Sequence, residues 1–495
     1  MLGLQLFEHV EAGAFLGLLP QAGNYPIFEG TSLYSLRLDH NFNNSNRLMF
    51  RVNVSPSTVT GIQVNGENQT FGQNAYSRTS QQTYRDVAGV AQDTWTIGNN
   101  KINEFRFQYA RRGLSYFYSS APGGSNVASN IAGFGFVGRE PYSYIQRTEQ
   151  RYQFTDNFSW AVGRHDMKMG VDFNYIPLSA IFTVNYGGVY NFSSLTASSL
   201  GFSNLCTTNG LPGALCPDFP AFTGLQAYGL GIPSTLVQGV GNPRDSFTNK
   251  PLGIFWQDSF RVQSNLTLNL GLRYDLEIPP KFTQPDPLAL AAYNQLGLQK
   301  GINTDTNNIQ PRIGIAWDPW GNGKSVVRAA YGIFYDHPLL GLYFLGDASD
   351  GSKSGQLLFA GGAPCNPNVA PGAGSLNATN IFQGILTTPS CLANIPGYLP
   401  NEQRFDAFNA NLFINQNYLN PSTFFPVAFQ PFGYPQAKNF VYAYAQQANS
   451  TIEQDLGHNL SLSLAYNFNG GRHLNRPIKA SPVRIQASRV RSAAR

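Results

Sequence analysis

Charge is scarce in this chain. Asp, Glu, Lys and Arg make up 12% of its 495 residues, about half the ~25% of an average soluble protein. Long apolar runs are missing: no stretch approaches the ~18–20 consecutive apolar residues of a membrane helix. There are only four cysteines. The six histidines, at 9, 40, 165, 337, 458 and 473, have no metal-ligand spacing, and His165 and His458 sit at short turns as solvated residues. These lacks exclude a helical membrane protein, a coiled coil and an ordinary cytosolic enzyme. With 42% hydrophobic and 13% aromatic residues, a disordered polar chain is excluded as well. What is there is Asn, Gln, Ser, Thr and Tyr where soluble proteins place charge. At roughly 150 residues per domain the length allows two to four domains or one large barrel.

The net charge of +5 belongs to the C-terminal end. Arg472, Arg476, Lys479, Arg484, Arg489, Arg491 and Arg495 are accompanied by no acid, and without these seven the body carries −2. No basic stripe backs a nucleic-acid role, so residues 479–495 read as a basic, disordered tail and nucleic acid is not an expected partner. The opening MLGLQLFEHVEAG has no basic n-region and is not a secretory signal.

Strict alternation recurs in pairs. Tyr34, Leu36 and Leu38 precede Leu48, Phe50, Val52 and Val54 across a short Asn-rich turn, which is one hairpin. Further pairs run 84–97 with 102–111, 147–160 with 165–176, 252–262 with 265–276, 309–317 with 325–336, and 441–455 with 459–468. Met167, Met169, Val171, Phe173 and Tyr175 alternate with Asp166, Lys168, Asp172 and Asn174; Leu266 to Tyr274 alternate with Thr267, Asn269, Arg273 and Asp275. Segments of about ten residues are long enough to cross a bilayer when tilted ~45°, whereas soluble strands average five to six.

Loop lengths assign the apolar face. Within each pair the connection is short. Between pairs it covers 55–83, 112–146, 177–246, 277–308 and 337–440. Short turns at one end and long loops at the other are the habit of outer-membrane barrels, with lipid on the apolar face and a wet lumen inside. The fold expected is therefore all-β: a transmembrane antiparallel up-and-down β-barrel, partial, with about twelve or more strands, short periplasmic turns and long extracellular loops. Residues 1–32 are an incomplete lead-in or an extracellular loop, and 33–478 the partial barrel. Trp95, Trp160, Trp317 and Trp320 lie within three residues of short turns, as a periplasmic aromatic girdle would.

No constellation carries catalysis. Gly133-Phe134-Gly135-Phe136-Val137-Gly138 matches a dinucleotide fingerprint but sits in a long loop. Asn303, Asp305 and Asn307 imitate a calcium loop, yet the glycine and closing glutamate are replaced by Asn308 and Gly314. No catalytic residue, cofactor or metal site is expected. Cys206 and Cys216 share one long loop, Cys365 and Cys391 another. Four cysteines allow three connectivities. The within-loop one is simplest and fits an oxidising compartment; four free thiols are the alternative.

Several stretches resemble a known family: Ser35-Leu36-Arg37-Leu38-Asp39-His40-Asn41-Phe42, Gly163-Arg164-His165-Asp166-Met167-Lys168-Met169-Gly170, Asn265 to Tyr274, Pro311 to Asp318 and Arg328 to Tyr335. The chain resembles the β-barrel of Oar-like TonB-dependent receptors from about residue 30 to 478. The resemblance implies a barrel of about 22 strands with an N-terminal plug and a TonB box, taking up large substrates in the outer membrane with energy delivered through TonB. This chain departs from it: no plug segment and no TonB box are found, and Arg495 stands where an aromatic ends the last strand. The partners implied are outer-membrane lipid and, for a full-length protein, the TonB complex. A passive porin or adhesin is the alternative, and a secreted β-rich lectin or enzyme the third.

Three expectations follow. A midplane Leu268→Arg on the lipid face should cost roughly 2–4 kcal/mol. The loops 177–246 and 337–440 should share one end of the barrel. The isolated chain, with unpaired edges in lipid, should aggregate rather than close.

Overall fold

A computed structural model describes residues 11–62, 72–195, 222–285, 287–362, 364–365, 376–384, 397–408, 428–430 and 434–476. Among them no helix is long and apolar enough to cross a membrane. The dominant element is one antiparallel sheet of 13 strands. In chain order these are β1 (Phe28–Thr31), β2 (Tyr34–Asn43), β3 (Asn46–Ile62), β4 (Ser80–Ile97), β5 (Lys101–Tyr118), β6 (Ile145–Val162) and β7 (His165–Phe182). They continue as β8 (Arg244–Gln263), β9 (Leu266–Ile278), β10 (Ile309–Trp317), β11 (Ser325–Tyr335), β12 (Tyr444–Gly457) and β13 (Leu460–Arg472). Each hairpin read from the alternation is present, and from β2 onward each strand pairs with the next in sequence.

Two features differ from the sequence reading. First, β4 to β7 are 18 residues long and β8 is 20, against the ten expected. At ~3.3 Å per residue and ~45° of tilt such a strand rises about 40 Å, beyond the ~25 Å apolar band. Only the part near the short turns carries the alternation that was read; the remainder projects beyond it, where no lipid selects one face. Second, β1 pairs with residues 57–60 of β3 while β2 pairs with 46–54. The two are one edge strand broken at Ser32 and Leu33, and Ser32 still donates its N–H to the Pro56 carbonyl, 3.1 Å away.

The short turns are locally encoded. Gly163 lies at φ 57°, and His458 and Asn459 at 54° and 61°. Two successive left-handed residues make the mirror-type turn whose twist suits a two-residue hairpin.

The sheet has an apolar and a polar face. The odd residues of β7 oppose the even ones of β8, as in Met169 with Trp256 and Val171 with Ile254, and these oppose Leu272 and Tyr274 of β9. Cavities of about 690 and 320 Å³ open on the polar face, so that face is the inside of the curl. The principal packed core lies elsewhere. Tyr190, Phe192, Leu236, Phe359 and Phe405 are buried in one cluster at the long-loop end.

Candidate functional site

The concave wall is built by alternation alone. Residues two apart on each strand point inward, and on this face they carry charge. Arg37 and Arg47 clamp Asp39 at 2.7 and 2.6 Å, Arg328 meets Glu453 at 2.7 Å, Arg273 meets Asp275 at 2.7 Å, and Lys168 reaches Glu104 at 3.8 Å. Most are half-exposed pairs worth little individually. Together they make a lattice of both signs that faces water and would be untenable against lipid.

The long loops are not separate excursions. Short strands from four of them form a second, seven-stranded sheet in the order Ala428–Gln430, Ser354–Ala360, Thr235–Gly241, Val189–Phe192, Ala128–Ile131, Phe134–Val137, Gly72–Asn74. The strand Thr235–Gly241 pairs antiparallel with Ser354–Ala360 over seven residues. The loops 177–246 and 337–440 thus lie at the same end, as expected. The helical residues 11–18 join this cap: Ala14 and Leu18 are buried in its core, and Gln226 donates to Glu11 at 3.0 Å.

Two buried polar side chains act as its pins. Arg78, wholly buried, donates to the carbonyls of Val137 and Arg139 at 3.2 Å and to Asn130 Oδ1 at 2.5 Å. Gln238 donates to the carbonyls of Tyr186 and Phe405 and accepts from the Phe405 N–H. Unpaired, such groups would cost the desolvation of a buried amide or cation; paired, they fix which loop meets which.

Between cap and wall the helix Leu340–Ser349 lies in the mouth, with Phe344 packed on Ala180 and Phe247. A buried charge cluster holds its C-terminal end. Lys300 Nζ lies 2.6 Å from Asp347 and 2.8 Å from Asp350, and Lys353 bridges Asp347 and Asp245. Burial alone would push the Asp347 carboxyl up; a proton held on Asp245 and shared with it, and hydrogen bonds from Lys300 and Thr283, outweigh it and hold it below the usual carboxylate range. The segment's N-terminal side is tied by His337, whose Nδ1 lies 2.6 Å from the Glu277 carboxylate. That bond, opposed by partial burial, raises the imidazole above its ordinary 6.5.

The residues singled out in the sequence fall as follows. Trp95, Trp160 and Trp317 stand on the apolar face close to the short turns, opposite Asn46, Met167 and Leu266. Trp320 sits in the Asp318–Lys324 turn itself, 73% exposed. Cys206, Cys216 and Cys391 lie outside the described residues, as does the tail from 477. Cys365 is disulfide-bonded. Asp305 is engaged by the Tyr442 N–H at 2.9 Å, and among the described residues no group of three or more His, Cys, Asp or Glu could hold a metal. The segment 133–138 is no phosphate loop: Phe134–Val137 is a cap strand paired with Ala128–Ile131.

One reading needs correction. His165 is not merely solvated: its Nδ1 is 2.7 Å from Asp258 Oδ2, and its ring stacks on Phe260 at 4.3 Å. Asp258 belongs to the apolar face, between Met167 and Leu270. The same device recurs on that face, with Asn103 donating to Asp156 at 2.8 Å and Asn46 to Asp93 at 3.4 Å. Alternation had hidden it, because an isolated Asp among Phe and Trp breaks the pattern without announcing a partner on the adjacent strand, 47 to 93 residues away in sequence.

A family model described as "Outer membrane beta barrel domain" matches residues 21–493. The TonB-dependent transporter Oar of Myxococcus xanthus is 28% identical over 229 residues, 45% of this chain and 18% of that protein. The chain therefore matches less than a fifth of the length of this curated relative. Among solved structures, the outer membrane transporter YddB of Escherichia coli is similar at a TM-score of 0.40 and 10% identity, covering 89% of this chain and 46% of that one. The ferripyoverdine receptor of Pseudomonas aeruginosa is similar at 0.39 and 12%, covering 90% and 50%.

Proposed function

The chain belongs to the outer-membrane β-barrel family, and from that premise we propose that it forms wall and extracellular mouth of a TonB-dependent transporter that takes up a large substrate. Its place is the bacterial outer membrane. The observation that carries the reading is the cap: four loops joined in one sheet with its own core, over a concave wall of paired charges. A passive pore needs an open mouth and gains nothing from a folded cover. A receptor needs a built surface at which to select its cargo before admitting it. The match to Oar supports energised transport as the class. No catalytic set is proposed. Within-loop disulfides Cys206–Cys216 and Cys365–Cys391 would brace the two longest loops; peptide mapping under non-reducing conditions should find those two pairs and no cross-pair. Likewise Trp95, Trp160, Trp317 and Trp320 are proposed to mark the periplasmic head-group level.

The decisive experiment compares the medium left by cells lacking the gene with that left by cells lacking TonB. The same large solute should remain unconsumed in both. Consumption that depends on this gene but not on TonB would favour the passive porin instead.

A further inference from the structure

A cavity of about 440 Å³ lies at the mouth between the concave wall and the helix Leu340–Ser349. Three adjacent strands supply its floor: Leu114 from β5, Ile145 and Arg147 from β6, and Leu178 and Ala180 from β7; Phe344 of the helix lines the opposite side. The register makes this a built arrangement. Leu114, Arg147 and Ala180 stand directly opposite one another on neighbouring strands, and so do Tyr116, Ile145 and Phe182. Leu114, Ile145, Ala180 and Phe344 are all under 10% exposed.

Arg147 is the exception in this apolar setting. Its neighbours along the strand on the same face, Glu149 and Arg151, pair with each other. Among the described residues the Arg147 guanidinium has no carboxylate and no hydrogen-bond partner. Arg273 and Arg328 of the concave wall have carboxylates, Asp275 and Glu453, while Arg106 bonds Gln92 and Arg312 lies over the Phe334 ring; Arg147 has none of these among the described residues. A guanidinium offers five donors in a planar fork matched to a carboxylate. Placed against leucine, isoleucine and phenylalanine, it asks for a ligand that is apolar along its body and anionic at one end. Tyr116 and Tyr142 also line the space.

We infer that this cavity is a binding subsite for an amphiphilic carboxylate: an aromatic or aliphatic body of on the order of fifteen non-hydrogen atoms, seated between β5–β7 and the mouth helix, its carboxylate on Arg147. The inference deepens the receptor reading, because it names the chemistry of one group that a cargo would present at the mouth. It also stands apart from it, since binding can be measured without transport.

The test uses outer-membrane vesicles from cells carrying the intact gene in its own locus, with vesicles from the gene deletion as baseline, and calorimetric titration of three probes: 4-phenylbutyrate, 4-phenylbutan-1-ol and 4-phenylbutylammonium. Saturable binding of the carboxylate about ten-fold or more tighter than of the alcohol is expected, with the ammonium weakest, since a charge-assisted pair is worth about 1.5–3 kcal/mol. Arg147→Gln should abolish the preference for carboxylate over alcohol while leaving alcohol binding intact, which also shows that the variant is folded. Leu178→Trp, which fills the cavity, should remove binding of all three. Equal affinities for the three probes, no saturable binding in the parent protein, or an undiminished carboxylate preference in Arg147→Gln would overturn the subsite. If the probes bind as described while the solute left by gene deletion proves independent of TonB, the subsite stands and the transporter reading falls.

Discussion

At the residue scale, the face a side chain occupies decides what it costs to change. Leu272 stands on the apolar face between Trp256 and Pro311, 49% exposed to what surrounds the sheet. It lies seven residues into β9, close to the middle of a band about ten residues deep. Leu268, which alternation alone had placed at the midplane, is two residues from the strand's start and nearer the interface. Leu272→Arg should therefore cost roughly 2–4 kcal/mol and Leu268→Arg less, because the penalty falls toward the head groups; urea unfolding from lipid vesicles measures both. Equal costs would mean that depth is not what separates them. The buried Asp258 sets a second expectation. Its side chain is 6% exposed, and its Oδ1 already has no partner. His165→Leu leaves the carboxylate unsatisfied and should cost about 1–3 kcal/mol. Adding Asp258→Leu should recover most of that loss, since replacing both partners by apolar groups is near neutral. A double variant no more stable than the single one would show that the pair is not the unit.

At the scale of elements, the mouth is tied to the wall by titratable contacts. His337 gains a proton affinity above 6.5 from Glu277, so the linkage has a fixed sign. A group whose folded value is raised stabilises below its unfolded value and loses that contribution as pH rises through the folded one. The contact is therefore fully made below pH 6.5 and released above it. Amide exchange in residues 336–349 should quicken as pH is raised from 6.5, after correction for intrinsic rates, and His337→Gln should flatten that response. An identical pH response in both proteins would assign the release to another group. The elements themselves were legible in unequal measure. The lower halves of the strands announced themselves, because lipid on one side and water on the other impose period two, as in Leu266 to Tyr274. In the upper half of β4, Ser80, Gln81, Gln82 and Thr83 show no such period, since both faces there meet protein or water. The cap strands were not legible at all. Pieces of three to seven residues carry too little pattern, and Thr235–Gly241 finds its partner more than a hundred residues away. For the same reason the mouth cluster of Lys300, Asp347, Asp350 and Lys353 could not be read from spacing: its members come from two different loops.

At the scale of the whole molecule, the sheet formed by the described residues does not close on itself. Its path ends at β1 and β2 on one side and at β13 on the other. Every residue of β2 and all but one of β13 are exposed. Their directions would permit pairing, since β2 runs toward the short turns and β13 away from them, which is the antiparallel relation. What opposes it is curvature. Loops joining β3 to β4, β5 to β6, β7 to β8 and β11 to β12 all enter one cap sheet with one core. That cap fixes the spread of the strand tops, and sliding β2 onto β13 would require it to come apart. The unpaired N–H and C=O groups along the two edges each cost several kcal/mol in hydrocarbon, far more in sum than the 5–15 kcal/mol by which a folded domain is ordinarily stable. The 495 residues alone, offered to lipid vesicles, should therefore give no compact band that shifts on boiling, and trypsin should digest the product to small fragments. A heat-modifiable, protease-resistant band would show that the cap yields and the edges meet. Cysteines introduced at Leu38 and Leu464, each on the apolar face of its edge strand, would then report the register of closure by forming a disulfide only if those positions come within about 7 Å.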